Sequence, residues 1–574
     1  MRRFDSGQVL VLGNGPVGQT AALLLARWGI PVTILDARAE RDPIGSKAIC
    51  QQRDVLEIWE AVGVGKQVAA EGVTWDTART FYREKELFAQ PFRDKGRSPF
   101  PPFVNISQTR TEELLAQKIA AEPLIEEVWG HEIVSIDQDA KSVTVVCSCV
   151  NGEQAEIVAD YAIAALGSKA RALRDQLGVT FDGRSFEDKF LICDIRADIP
   201  GWATERRFYF DPEWNPGRQV LIHPCPDSTF RIDWQVPGDY DLEAEEASGA
   251  LDARIRQIIG EDTDYEIVWK SVYRFHARLA SRMRVGRVLL AGDCAHIVSP
   301  FGARGLNSGV TDAENAAWKL TSVLRGNADE ALLESYDLER RAAAIENLEV
   351  TEATMDFLVP HNAQQWEDRL AKLERALGDP AASTYVDSGR LAEPFWYVDS
   401  PLTTPHPTRT FAGRPPKGEV PDPVPGVLLP DVPVAVPGVR ADRVRELARY
   451  GILLLTGEEV DQELVRETAL AAIKSPLRLH AIADIDTTGK LTEALRPEPT
   501  DVWVVRPDSH IAAVVDGTDP GALKRALQNT IAAPGSEAAR VLAEREVPPG
   551  PPRQRGPAPG TAPGTTAQEA VAAG

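Results

Sequence analysis

The 574-residue chain has little cysteine, no long apolar run and a deficit of positive charge, and each shortage removes a class of protein. Six scattered cysteines are too few for a disulfide scaffold and suit a reducing compartment, so a cytoplasmic location is expected. Cys147 and Cys149 fall on one face of a predicted strand. Their spacing is poor for zinc and no second ligand pair accompanies them, so they are read as packing residues and no metal site is expected. No stretch approaches the ~18 apolar residues of a membrane span. The opening Met-Arg-Arg-Phe-Asp also lacks the apolar segment of a signal peptide. Lysine and arginine number 63 against 85 aspartates and glutamates, and the net charge of −22 argues against nucleic acid or an acidic membrane as a partner. No Ser/His/Asp arrangement suggests nucleophilic catalysis. Hydrophobic content of 43% and charged content of 26% are ordinary for soluble globular domains. The length predicts three or four of them at ~150 residues each.

Near the start, the apolar run Gln8–Leu12 leads into Gly13-Asn14-Gly15-Pro16-Val17-Gly18, then a helical stretch to about Trp28 and a second strand, Val32–Leu35, ending in Asp36. This is a dinucleotide fingerprint in strand–turn–helix–strand context. Gly13 permits the tight turn, Gly15 lets backbone N–H groups approach a pyrophosphate, and Gly18 lets helix meet strand. Asp36, about 20 residues on, is placed for a ribose hydroxyl. These residues alone leave NAD and FAD both open.

A second stretch, Val288–Lys319, organises the rest. A short buried strand ends at Gly292, Asp293 follows where a carboxylate can accept from ligand hydroxyls, and Pro300, Gly302 and Gly305 punctuate a loop before a helix beginning near Leu306. The free N–H groups and positive end of that helix suit an electron-rich heterocycle. The stretch resembles the second FAD-binding signature of the group A flavoprotein monooxygenases, the phenol and aromatic hydroxylases, at Gly292, Asp293, Ala295, His296, Pro300, Gly302, Gly305, Asn307, Asp312, Asn315, Trp318 and Lys319. The resemblance decides for FAD over NAD in the fingerprint. It implies that Asp293 binds the ribityl chain and that the backbone at Gly305-Leu306-Asn307 faces the pyrimidine end of the isoalloxazine. It further places Ala37 and Arg38 near the adenosine end, Lys47 in a loop beside the flavin, and Gln108, at the start of a helix, against FAD. His296 is read as supporting the loop.

The implied fold is α/β: a Rossmann-like FAD-binding domain of glutathione-reductase type (1–180 and 281–375), an inserted β-sheet substrate domain (181–280), a linker (376–437), a cysteine-free thioredoxin-like domain (438–533) and a disordered tail (534–574). The implied reaction uses NADPH or NADH and O2, with a flavin hydroperoxide delivering one oxygen atom to a phenolic or polycyclic aromatic ring. Two alternatives stay open: a Baeyer–Villiger or ring-opening oxygenase acting on an aromatic polyketide, and a non-oxygenating flavin-binding protein. The second is raised by Leu166-Gly167, where the family pattern has Asp-Gly, so that one polar contact is lost unless Ser168, Lys169 or Arg171 compensates.

Phe190–Asp194, Arg207–Phe210, Gln219–His223, Phe230–Val236 and Ile267–Phe275 are predicted strands, interrupted by a helix over Glu243–Ile259. Tyr209, His223 and Asp233 are the candidates for drawing the proton from a phenol, with Arg207 and Trp234 as further pocket candidates. Alternation allows only about half of them to face inward. A small aromatic molecule is the expected partner, and the C-terminal domain is read as structural support or a subunit contact, as in a homodimer.

Overall fold

The structure, a computed structural model, describes residues 2–5, 8–42, 48–91, 98–360, 362–379, 381, 386, 391–416 and 419–545. Val9–Leu12 is wholly buried and apolar, as a strand covered on both faces must be. It pairs in parallel with Val32–Leu35 and Tyr161–Ala164; Ile125–Val128 and Val288–Leu290 extend the sheet, and Arg284–Val285 forms its antiparallel edge. Helices Pro16–Arg27 and Arg304–Leu324 pack side by side against it, so both glycine-rich turns open at the same end of the sheet. His131–Gln138 pairs with Val143–Cys149, joined by Gln154–Ala159 and Arg2–Asp5 in a separate four-stranded sheet.

The middle sheet has eight strands, in the order His296–Ile297, Tyr265–Ala280, Phe181–Ala197, Thr229–Val236, Gln219–Cys225, Glu205–Phe210, Thr77–Tyr82 and Lys85–Pro91. Its last two strands lie about a hundred residues before the expected boundary at 181. They belong here because Thr77–Tyr82 pairs in parallel with Glu205–Phe210. The single helix expected over Glu243–Ile259 is two, Leu242–Ser248 and Ala250–Ile259, broken at Gly249, whose φ is 78°. Pro360 separates helix Glu334–Leu358 from helix Ala363–Gly378.

The C-terminal sheet runs Leu477–Ala481, Ile452–Thr456, Asp501–Val505, Ile511–Asp516. The first two strands are parallel and the last two form an antiparallel hairpin, with helices Gln462–Ala472 and Pro520–Thr530 packed on the sheet. This is the thioredoxin-like arrangement, and none of the six cysteines lies in it.

Two expectations need correction. Residues 391–416 and 419–437 are a packed strap rather than a linker: Trp396, Tyr397 and Leu402 are buried, Ala392 N donates to Gly302 O at 2.7 Å, and Gly426 N donates to Ile511 O. Proline excludes ladder hydrogen bonding but not burial of the aromatic residues between. The tail does not become irregular at Pro534. Glu537–Ala543 is a helix capped by Ser536, and it buries Ala538 and Leu542 against Trp318 and Leu332. Residues 546–574 lie outside the described residues.

Candidate active site

The fingerprint turn has the geometry its residues dictate. Gly13 adopts φ 109°, and a Cβ there would lie 2.4 Å from Ala165 O; a Cβ on Gly18 would lie 2.0 Å from Gly13 O. Only glycine fits at either position. Gly15 instead has open space beside its Cα, and the helix starting at Pro16 carries no side-chain cap. Asp36 accepts from Asn14 N at 2.8 Å and is gripped by Arg38, Nε to Oδ1 at 3.0 Å and Nη2 to Oδ2 at 2.9 Å. Burial works to raise the Asp36 carboxyl, but the Arg38 and Asn14 hydrogen bonds outweigh it and hold it below its ordinary range. Ala37 is exposed beside them.

The second turn closes against the first through Val17. A Cβ on Gly309 would meet the Val17 side chain at 2.6 Å, and one on Gly292 would meet it at 3.2 Å. Asp293 follows in a short 3₁₀ turn and is exposed, as is Pro300, whereas Gly302 is buried. The long helix begins at Arg304, two residues earlier than expected, after Ala303 at φ 55°; its N-terminus has no side-chain cap, Gly305 has open space, and Leu306 packs on the domain core. Asn307 is a brace: its side chain accepts from Gln52 N at 3.0 Å and donates to Cys50 O at 2.9 Å, tying the helix to strand Cys50–Gln52. Gln108 opens its helix and accepts from Ala48 N at 3.1 Å. Lys47 lies outside the described residues.

Asp312, Asn315, Trp318 and Lys319 gain a physical reason. Asp312 accepts from Gly292 N at 2.9 Å, His296 Nε2 at 2.7 Å and Arg340 Nε at 2.6 Å, all buried, so it fixes the turn that presents Asp293. One helical turn on, Asn315 and Lys319 both reach Glu339, at 2.8 and 2.6 Å, and Arg506 of the C-terminal domain grips the same carboxylate at 2.6 and 2.9 Å. Trp318 Nε1 donates to Asp508, which also pairs with Arg506, while Tyr397 of the strap accepts from Arg340. Burial opposes ionisation of Glu339, but the charges of Arg506 and Lys319 hold it far below the carboxylate range; burial pulls Lys319 down to about 8. A continuous buried ion network thus runs from the Gly292 turn to the C-terminal domain. Sequence reading missed Glu339, Arg340, Arg506 and Asp508, which carry no local signal.

Strand register decides the substrate side. Phe208, Leu221, Asp233 and Ile192 stand in one row, and His223, Arg231 and Asp194 in the next, on one face. Tyr209, Val220, Trp234 and Leu191 stand on the other, beneath the helices spanning Leu242–Ile259. Tyr209 therefore leaves the candidate set: it stacks on Phe81 at 4.5 Å between centroids and accepts from Arg207 at 3.3 Å, away from the flavin domain. Arg207 and Trp234 leave it for the same reason. His223 and Asp233 remain. Each is part-exposed, as in the wall of a cleft, yet His223 Nδ1 and Asp233 Oδ1 are enclosed and lack hydrogen-bond partners among the described residues. Burial, opposed by Arg231 and aided by Asp194, lifts the Asp233 carboxyl to about 7. Burial, with Arg206 and Arg231, pushes His223 well below its ordinary value and keeps it neutral. Next to this face runs the strand pair Cys50–Gln52 and Phe103–Asn105, joined to the sheet by Asn105 Nδ2 donating to Pro224 O at 2.9 Å. There the Gln51 amide, Gln52 Oε1 and Asn105 Oδ1 are also buried without partners among the described residues. Phe190, Phe208, Phe275 and Phe301 line the same side, and Phe301 follows Pro300 directly.

The open cradle at Gly15, the two uncapped helix termini and the unpartnered polar atoms of Gln51, Gln52 and Asn105 fit an extended dinucleotide. Leu166, packed on the domain core next to Gly13, presents an apolar side chain there; Ser168, Lys169 and Arg171 are exposed.

Residues 6–351 match the family model described as FAD binding domain, and residues 422–534 match the one described as aromatic-ring hydroxylase, C-terminal. The chain is 30% identical over 370 residues to the 3-(3-hydroxy-phenyl)propionate/3-hydroxycinnamic acid hydroxylase of Comamonas testosteroni, covering 63% of this chain and 61% of that protein. It is 31% identical over 352 residues to the corresponding enzyme of Klebsiella pneumoniae, 60% of this chain and 62% of that one. The chain thus spans less than two thirds of the length of these relatives. The flavin-dependent monooxygenase PieE, solved with FAD and substrate, superposes with a TM-score of 0.78 at 22% identity, covering 95% of this chain and 100% of that one, and shares the fold. Aklavinone-11 hydroxylase does so with a TM-score of 0.74 at 22% identity, over 92% and 99%. The chain belongs to the FAD-binding domain family of flavoproteins, in the form that carries an aromatic-ring hydroxylase C-terminal domain.

Proposed function

We propose that the protein is an FAD-dependent monooxygenase that uses NADPH or NADH and O2 to hydroxylate a phenolic ring. One oxygen atom enters the ring, the other leaves as water, and the nicotinamide supplies the two electrons. The observation that carries this reading is the pair His223 and Asp233, part-open on a sheet face beside the Gln51 amide, Gln52 Oε1 and Asn105 Oδ1, which lack partners among the described residues. FAD, when bound, supplies the electron transfer and the activation of oxygen. The chain holds, orients and encloses. Backbone N–H groups of Gly15 and Val17 would receive the pyrophosphate, Asp36 the adenosine ribose, Asp293 the ribityl hydroxyls, and the terminus at Gly305–Asn307 the electron-rich end of the ring system. The phenylalanine wall excludes water from the reacting ring.

Asp233 accepts the proton of the substrate hydroxyl. A carboxylate with an affinity near 7 is ionised enough at neutral pH to act and basic enough to share that proton, which raises electron density on the ring carbons ortho and para to the oxygen. Neutral His223 offers Nδ1 as donor or acceptor to the same hydroxyl, according to its tautomer. Phenols related to the 3-(3-hydroxyphenyl)propionate named for the relatives are the compounds to try first. The test is NAD(P)H consumption by the FAD-loaded protein under labelled O2. The reading requires a phenol that accelerates consumption and returns with one labelled oxygen on the ring. Consumption that no phenol accelerates would overturn it, and insertion of the label into a ketone would shift the reading to a Baeyer–Villiger oxygenase.

A further inference from the structure

The parallel strands of the flavin domain present the turns at their carboxyl ends in one row. Across the sheet the strands run Val288–Leu290, Tyr161–Ala164, Val9–Leu12, Val32–Leu35 and Ile125–Val128. The row therefore reads Gly292-Asp293, Leu166, Gly13–Gly18, Asp36 and, last, Trp129. Neighbouring strands lie about 4.8 Å apart, so four steps carry the row about 19 Å. An extended dinucleotide laid along it would put its ribityl chain at Asp293, its pyrophosphate at Gly15 and its ribose at Asp36. Its base would fall one strand further on.

That strand is Ile125–Val128, and its register sets what the base meets. Leu35 pairs with Val128, Asp36 N donates to Val128 O at 3.1 Å, and His131 N donates to Asp36 O at 2.9 Å. Trp129 is thus the lateral neighbour of the ribose carboxylate. Its side chain is part-exposed, and the guanidinium carbon of Arg38, which grips Asp36, lies 5.6 Å from the ring centroid. A part-exposed indole held there has a face to offer a planar heterocycle.

Asn14 marks the same place. It is 1% exposed, and its Nδ2 donates to Glu127 Oε1, on the strand that leads to Trp129, at 2.6 Å. Its Oδ1 has no hydrogen-bond partner among the described residues. A buried acceptor without a donor is costly unless a ligand completes it. Adenosine brings neutral donors: the ribose hydroxyls and the exocyclic amine of the base.

We propose that Trp129 is the platform on which the adenine of the cofactor stacks, so that the chain selects FAD over FMN at the end of the molecule remote from the reaction. This rests on the FAD reading above and adds to it the residue that binds the base.

The test is equilibrium binding of FAD, FMN and ADP to the full-length protein stripped of flavin, and to its Trp129→Ala and Trp129→Phe variants. Stacking of a base on an aromatic ring predicts that FAD and ADP each bind Trp129→Ala about tenfold more weakly. FMN, which has no base, should bind it unchanged, and Trp129→Phe should keep most of the affinity. ADP does not absorb where tryptophan emits. It should change the emission of the unaltered protein, through one indole among 12, and leave that of Trp129→Phe as it was. The Phe variant carries this readout even if Trp129→Ala folds poorly. No binding of ADP, equal ADP affinity in the unaltered protein and Trp129→Ala, or an equal emission change in Trp129→Phe overturns the platform. A loss of FMN affinity as large as that of FAD would also overturn it, by marking a general disturbance of the turn. Failure of the FAD reading has a different signature: ADP binds in a Trp129-dependent way but neither flavin binds, and the platform then serves another adenine dinucleotide.

Discussion

Replacing Asp233 by Asn separates catalysis from stability at one position. Burial moves this carboxyl from its ordinary 3.8 to about 7. Below pH 3.8 folded and unfolded chains both hold the proton, and the site contributes nothing to the pH dependence of stability. Between pH 3.8 and 7 the folded chain keeps the proton while the unfolded chain releases it, so stability falls as pH rises. Above pH 7 the full penalty is in place, up to about 4 kcal/mol from some three pH units at ~1.4 kcal/mol each. Residual contact with solvent in the cleft reduces it. Asp233→Asn should therefore melt higher than the unaltered protein at pH 8 and lose that advantage near pH 4. Hydroxylation should behave in the opposite sense. In the unaltered protein it should rise through pH 7, with about a tenth of Asp233 ionised at pH 6 and about nine tenths at pH 8. The Asn variant should lose that rise and run about 10²- to 10⁴-fold slower. The assays are thermal melts across pH and product yield against peroxide release. A variant that melts lower at pH 8, or keeps the rise in rate, would refute the assignment of Asp233.

Arg506→Met leaves Lys319 as the one cation paired with buried Glu339 among the described residues, and losing one partner of such a network costs about 3–5 kcal/mol. The C-terminal domain should become more susceptible to limited proteolysis, and FAD should dissociate faster because the same network reaches the Gly292 turn; retention of FAD and protease resistance would show the network to be ornamental. Tyr209→Phe removes only the hydrogen bond to Arg207 on the far face of the sheet, a loss of about 1 kcal/mol. Product yield per NAD(P)H should not change, and a shift toward peroxide would return Tyr209 to the active site.

The readable parts of this molecule are those whose chemistry is local. Gly13 and Gly18 announce themselves because a side chain at either would collide with backbone a few residues away or across one strand. The second signature is readable as a pattern, but its cause is not: Asp312 and Lys319 are fixed by Arg340, Glu339 and Arg506, and Arg506 is almost two hundred residues distant. Strand alternation reduces the pocket candidates to two faces and stops there. Only the helices over Leu242–Ile259 on one side and the flavin domain on the other separate Tyr209 from Asp233. The pairing of Thr77–Tyr82 with Glu205–Phe210 is non-local and leaves no periodic trace.

The account depends on two turns, Gly13–Gly18 and Gly292–Asn307, holding one FAD between them. The direct measurement is the visible spectrum of the purified protein before and after incubation with FAD, followed by quantitation of flavin released on denaturation. A yellow protein carrying one FAD per chain, and a Gly18→Ala variant that loses it, is the predicted result. A colourless protein that stays colourless with FAD present would contradict the account.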